Sequence, residues 1–294
     1  MSPSKRPQSV DILGVRIESL PMQTAARRIC DRAQQPGAVY VTKPYVEFLD
    51  HAAERPDIRE LLNDSFLNLP DGVSLQWAAA YLYGGRRSWW RALGLAAQIV
   101  LRPQALGSVI PERFAGTNFT WELLRESAKS NLSVYVVGKL GQDEIDATAT
   151  AIKQALPTIK IAGAHPGVLG GIHGRRLADK LENKAVEAEL ARELNKVNPD
   201  LILVGMGFPL QERVMAKLAP RLQRGVLVGE GGTFDYESFG GQRQKAPPVM
   251  QQLGLEWAWR LWLEPHRLHR QLAIPRFMWR VYQEGRRQNH AKTR

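Results

Sequence analysis

Asp71 closes the run Leu67-Asn68-Leu69-Pro70-Asp71-Gly72-Val73, which places one carboxylate at the end of an apolar stretch, just before a glycine and a helical pattern. A strand feeding a Pro-Asp-Gly turn presents its carboxylate at the rim of a sheet, where open α/β folds bind their ligands. There it can meet a bound ligand; the alternative is a turn aspartate that caps the following helix. Three glycine junctions, Gly138–Gly141, Gly205–Pro209 and Gly229–Gly232, offer backbone N–H groups and helix N-termini suited to phosphate. None completes a G-x-G-x-x-G fingerprint, no acidic residue follows at ribose-binding distance, and no Walker A sequence occurs. His266 and His269 stand on a basic arm without carboxylates or cysteines to complete a metal site, and the chain has no Asp-x-Asp. No metal and no cofactor are expected. An enzyme of this kind acting on a nucleoside diphosphate would stabilise the leaving group with arginines and helix dipoles.

The elements that must position these groups alternate. Val10–Ile17 reads as an edge hairpin or short strand, and Pro21–Gln34 has helical spacing. Ala38–Thr42 is a strand broken at Lys43-Pro44-Tyr45, followed by helices at Val46–Ala53 and Pro56–Asn63. Ser65–Leu69 is the strand that delivers Asp71, and Ser74–Tyr83 is the next helix. Further on, Leu132–Val137, Ile159–Ala164, Leu201–Val204 and Gly225–Val228 read as strands. Helices are expected at Asp143–Leu156, Leu177–Val197 and Leu210–Leu222, and the glycines from Gly163 to Gly174 mark a loop. Strands alternating with helices predict a parallel sheet with right-handed crossovers, hence a Rossmann-like α/β fold.

Two segments depart from that pattern. Residues 86–111 include Trp89-Trp90-Arg91 and the apolar Ala92–Leu101, too short to span a bilayer and suited either to an interfacial helix or to a buried core helix. Residues 254–294 interleave arginines with Trp257, Trp259, Trp262, Phe277 and Trp279, forming a basic-aromatic helical appendage broken at Pro265 and Pro275. The expected organisation is therefore a Rossmann-like unit over 1–253, with 86–111 as a candidate interfacial insertion, and a surface-binding appendage over 254–294.

Length and charge narrow the partners. The 294 residues carry a net charge of +11, with 44% hydrophobic and 23% charged residues, an ordinary globular balance. Such charge fits nucleic acid, an anionic membrane surface or phosphate-bearing substrates. The single cysteine, Cys30, excludes an internal disulfide and points to a reducing compartment. The polar start of the chain lacks the apolar core of a secretory signal, and no apolar run is long enough for a transmembrane helix.

Several elements occur in a telling order: Thr42; Leu69-Pro70-Asp71-Gly72; Glu112-Arg113-Phe114-Ala115-Gly116; and Val204-Gly205-Met206-Gly207-Phe208-Pro209-Leu210-Gln211-Glu212. They continue with Gly231-Gly232-Thr233-Phe234-Asp235, Ala246-Pro247 and Gly254-Leu255-Glu256-Trp257…Arg260…Glu264-Pro265…Arg267…Arg270. Together, from about Val10 to Arg270, the set resembles the WecG/TagA/CpsF glycosyltransferases of bacterial surface-polysaccharide assembly.

The resemblance implies an inverting transferase. It would move a sugar from a UDP-sugar to a saccharide on a polyprenyl diphosphate, as a peripheral protein at the cytoplasmic membrane face. Asp71 matches the family's general base and Thr42 a position beside it. Gln211 either hydrogen-bonds substrate polar groups or caps its own helix turn. Arg113 is either a phosphate ligand or the ion-pair partner of a neighbouring carboxylate. Gly138, Gly205, Gly207, Gly231, Gly232, Glu212 and Asp235 complete the candidate substrate-binding set. Arg260, Arg267 and Arg270 match arginines that the family's membrane-binding appendage, here 254–294, brings to the diphosphate as it closes over the active site; the alternative is a basic lipid-binding face.

This sequence also departs from the family pattern. Pro44 replaces a common asparagine, Gly116-Thr117-Asn118-Phe119 replaces Gly-Thr-Asp-Leu, and Lys245-Ala246-Pro247 replaces Arg-Ala-Pro. The donor sugar is therefore not transferable from any relative. A Rossmann-type oxidoreductase and a non-enzymatic binder of nucleic acid or membrane are the competing classes. The motifs outside the tail rank both below a transferase that does not bind nucleic acid. Pairing of protomers through the helical face after Ser74 is compatible with the sequence.

Overall fold

The computed structural model describes residues 8–114, 117–138, 141–166, 184–244, 246–247, 249–250, 256–263 and 273–291. Six strands form one parallel sheet: β3 (Gly37–Thr42), β4 (Leu67–Asn68), β5 (Ser133–Val137), β6 (Lys160–His165), β7 (Leu201–Val204) and β8 (Arg224–Gly229). Their spatial order is β4-β3-β8-β7-β5-β6. The central strands are apolar throughout, Leu-Ile-Leu-Val in β7 being wholly buried, because a parallel sheet is covered on both faces.

One face packs against α1 (Met22–Ala33), α6 (Asn118–Lys129) and α7 (Gln142–Ala155) through Ala26, Ile29, Phe119, Leu123, Ile145 and Ile152. The other face packs against α8 (Lys184–Val197) and α9 (Leu210–Leu218) through Leu190, Leu194, Val214 and Leu218. Sequence periodicity did not single out α6, although Phe119, Leu123 and Leu124 recur at helical spacing. α9 is shorter than expected: Pro220 turns the chain into a short 3-10 segment, Ala219–Arg221. The expected start of α8 at Leu177 and the glycine loop up to Gly174 reach into 167–183, outside the described residues.

The first two strands, β1 (Ser9–Ile12) and β2 (Val15–Glu18), form a separate antiparallel hairpin and not an edge of the main sheet. Leu13 and Gly14 both have positive φ, 55° and 80°, the backbone that a two-residue hairpin turn requires. Val10, Ile12, Val15 and Ile17 face a second core beside the sheet.

That second core is built around α4 (Val73–Tyr83), in which every residue from Leu75 to Leu82 is buried. A helix apolar on all sides must be enclosed. α2 (Val46–Glu54), α3 (Pro56–Asn63), α5 (Trp89–Leu101) and α11 (Ala273–Ala291) contribute residues to the same core. α5 combines the two alternatives read from its sequence. Ala92 and Leu95 are buried, while Trp90 is 80% and Leu101 77% exposed.

α11 is packed into the structure. Phe277 and Val281 are fully buried, and Gly285 passes so close to Tyr81 that a Cβ would lie 2.7 Å from its ring. Asp50 on α2, itself buried, receives Arg276 Nε at 2.7 Å and Arg280 Nε at 3.1 Å. α10 (Glu256–Leu263) precedes it and exposes Trp262. No helix among the described residues is long and apolar enough to cross a membrane.

Candidate active site

The site lies at the C-terminal ends of β3, β4, β7 and β8. β4 is only two residues long, but its pairing with β3 continues past it. Leu69 N–H donates to Thr42 O at 2.9 Å and Asp71 N–H to Pro44 O at 2.9 Å. Asp71 is thus fixed by its backbone at the sheet rim, half-buried, directly ahead of α4. Gly72 follows with φ +97°, and a Cβ added there would meet nothing within 4 Å, so backbone conformation and not space demands glycine.

Thr42 is fully buried at the end of β3, and its hydroxyl donates to Asn68 Oδ1. Asn68 Nδ2 in turn donates to Leu62 O at 2.7 Å. Thr42 therefore fixes β3 to β4 below Asp71. The segment ahead of α6 crosses the same loop, with Phe114 N–H donating to Pro70 O at 2.7 Å. This brings Arg113, half-buried and without an ion pair to any described residue, beside the Asp71 turn.

A buried charged cluster next to Thr42 was not apparent from sequence. Lys43 Nζ lies 2.5 Å from Glu230 Oε2, and Thr120 Oγ1 donates to the same oxygen at 2.6 Å. Glu230 Oε1 is buried and has no hydrogen-bond partner among the described residues. The only local signals were a lysine at a strand break and a glutamate inside a glycine run.

Gln211 joins the glycine loops. Its Oε1 accepts from Gly231 N–H at 2.9 Å and Gly207 N–H at 3.2 Å, while Nε2 donates to Glu212 Oε1 at 2.7 Å. The carboxamide thus occupies two of the N–H groups that sequence suggested for phosphate. A Cβ on Gly229 would lie 2.8 Å from Gln211 Nε2, and one on Gly205 would lie 2.4 Å from the Phe234 ring. Both glycines are needed for close approach. Glu212 is fully buried, Oε2 has no partner among the described residues, and burial pushes its carboxyl up to about 7.

The remaining candidates are spread more widely. Gly232 follows Gly231 in the β8 loop, and Asp235, three residues on, is paired with Arg243 at 3.1 Å. Gly138 sits farther along the rim at the end of β5, where its N–H donates to His165 O at 2.9 Å. Arg260 belongs to α10. Arg267, Arg270, His266 and His269 lie outside the described residues. Cys30 is a buried residue of α1, its thiol pushed up to about 11 by burial, which removes it as a nucleophile near neutral pH. Among the described residues no three His, Cys, Asp or Glu side chains gather as a metal site.

Glycine loops and a rim carboxylate at the strand ends of an open parallel sheet are the layout of α/β enzymes that bind nucleotide-linked substrates. The chain belongs to the glycosyl transferase WecG/TagA/CpsF family, whose model matches residues 10–96 and 92–291. It is similar to the N-acetylglucosaminyldiphosphoundecaprenol N-acetyl-beta-D-mannosaminyltransferase of Bacillus subtilis, 28% identical over 85% of this chain and 81% of the relative. The protein of the same name from Staphylococcus aureus is 24% identical over 96% of both chains.

Proposed function

We propose that the protein moves a sugar from a UDP-sugar to a saccharide carried on a polyprenyl diphosphate, with inversion and without a metal ion, in the assembly of a bacterial surface polysaccharide. The carboxylate of Asp71 takes the proton of the acceptor hydroxyl as its oxygen bonds to the anomeric carbon. The bond from that carbon to the diphosphate breaks on the opposite side, and UDP leaves with the electron pair.

The observation that carries this reading is the backbone anchoring of Asp71 at the rim, beside Thr42 and the Gln211-braced glycine loops, in a chain of this family. The names of the relatives support a lipid-diphosphate acceptor. Arg113, Arg260, Arg267 and Arg270 are the groups this reading assigns to the diphosphates, where positive charge stabilises the departing UDP. The appendage over 254–294 would bind the inner membrane surface and close over the rim, with the exposed tryptophans of α5 and α10 resting on that surface.

The test is UDP release from a panel of UDP-sugars in EDTA, with a short polyprenyl-diphosphate saccharide as acceptor, in wild type and Asp71→Asn. Acceptor-dependent release that falls by about a thousandfold in the variant supports the base, within the range of a general-base contribution. Undiminished release in the variant would move the base elsewhere, and a requirement for added metal would overturn metal independence.

A further inference from the structure

An apolar cavity of about 160 Å³ lies between α5 and α11, walled by Trp77, Trp89, Leu93, Met278, Trp279 and Tyr282 among others. The polar edge of its floor is satisfied internally, since Trp77 Nε1–H donates to Ala92 O at 3.2 Å. Trp89, Leu93 and Trp279 wall the cavity and yet remain 48%, 45% and 53% exposed, so it opens to the surface. An apolar cavity of about 150 Å³ takes up a benzene-sized hydrocarbon, about the bulk of one isoprene unit.

Its position links it to the rim. Trp77 stands on α4 about 6 Å along the helix axis from Val73, at the end that follows Asp71. Pro275, also in the wall, lies in the first turn of α11 next to Arg276, which binds Asp50 on α2 and whose side chain is 56% exposed. α2 and α4 both leave the sheet at the rim that carries Lys43 and Asp71. The cavity is therefore an open hydrocarbon site whose Trp77 wall stands one turn into α4, the helix that follows the Asp71 loop.

We infer that this cavity holds an isoprene unit of the acceptor's polyprenyl chain, close to its diphosphate. The inference rests on the reading of the acceptor as a polyprenyl diphosphate. Such an acceptor must carry its diphosphate out of the bilayer to the rim, and the first units of its chain then cross the protein surface. Burying one of them here removes hydrocarbon from water and sets the distance between lipid and sugar.

The test uses the full chain and a diazirine-tagged farnesyl diphosphate, with labelled positions mapped by mass spectrometry. Label is expected on α5 and α11 around Leu93 and Met278, displaced by untagged farnesyl diphosphate but not by inorganic diphosphate or phosphatidylglycerol vesicles. Ala96 is also in the wall, and Ala96→Trp, which fills the cavity, should weaken farnesyl diphosphate binding about tenfold or more, with UDP affinity unchanged. Leu93→Asn, at a half-exposed position that tolerates a polar group, should weaken it in the same direction and covers the case in which the larger side chain disturbs packing. Label confined to other elements, or unaltered affinity in both variants, overturns the inference. Equal displacement by the vesicles does so too, since the cavity would then take any membrane hydrocarbon. Binding is read without turnover, so the two readings can fail separately. Labelling of the cavity without transfer to a polyprenyl-diphosphate saccharide defeats the acceptor reading alone, and transfer with label elsewhere defeats the cavity alone.

Discussion

Lys43 and Glu230 form a buried ion pair, 2.5 Å from Nζ to Oε2, that ties the end of β3 to the end of β8 directly behind the candidate base loop. Removing one partner leaves an uncompensated charge in a dry environment. Lys43→Met should therefore cost about 3–5 kcal/mol in chemical denaturation, and Lys43→Met with Glu230→Gln should recover most of it. A single variant as stable as wild type would show the pair to be dispensable.

Gln211 braces the β7 and β8 loops, accepting from Gly207 N–H and Gly231 N–H and donating to Glu212 Oε1. Gln211→Ala leaves the N–H groups of Gly207 and Gly231 without their acceptor, at about 1–3 kcal/mol each if water cannot reach them. Activity should fall mainly in kcat, as loosened loops misplace the donor. A rise in KM at unchanged kcat would instead mean that the carboxamide binds substrate in the ground state.

Glu212 makes stability depend on pH in a defined direction. Burial raises its carboxyl from 4.5 to about 7, so the folded chain holds a proton that the unfolded chain has already released between those values. Its favourable contribution is complete below the unfolded value and is lost as pH rises through the folded one, with a slope of up to about 1.4 kcal/mol per pH unit. Glu18 and Glu284 are raised by burial in the same sense. The difference between wild type and Glu212→Gln isolates this group: the variant should gain relative stability as pH rises from about 4.5 to about 7 and level off above that. Parallel denaturation profiles would place the titration elsewhere.

α11 is integral to the second core, so its loss differs from loss of the segment before it. Phe277→Ala should cost about 3–5 kcal/mol, the range for emptying a buried aromatic site. Arg260→Ala, Arg267→Ala and Arg270→Ala should lower turnover with the denaturation midpoint unchanged. Truncation before Ala273 should lower both. A truncated chain with the wild-type midpoint would mean that α11 contributes little to the core.

What was legible in sequence was local. Asp71 could be read because Pro-Asp-Gly after an apolar run dictates both the turn and its place at a strand end. The parallel sheet could be read because strands and helices alternate with clear periods. Lys43 and Glu230 could not be read, since their partnership spans 187 residues and depends on β3 lying next to β8. Gln211 was visible as part of a motif, but its contact with Gly231, 20 residues on, is made only when the β7 and β8 loops fold side by side. The hairpin of β1 and β2 alternates like an edge pair, and only tertiary packing gives it a separate core to cover.

Asp50 takes both Arg276 and Arg280, and Phe277, between them on α11, packs into the core shared with α4. α2 issues from the loop of Lys43 and α4 from the loop of Asp71, so α11 splints the two walls of the cleft at a set width. The gap between Asp71 and the buried ion pair is thereby governed from α11. A substitution at Arg276 or Arg280 should therefore register as altered spacing between Asp71 and the Lys43–Glu230 pair.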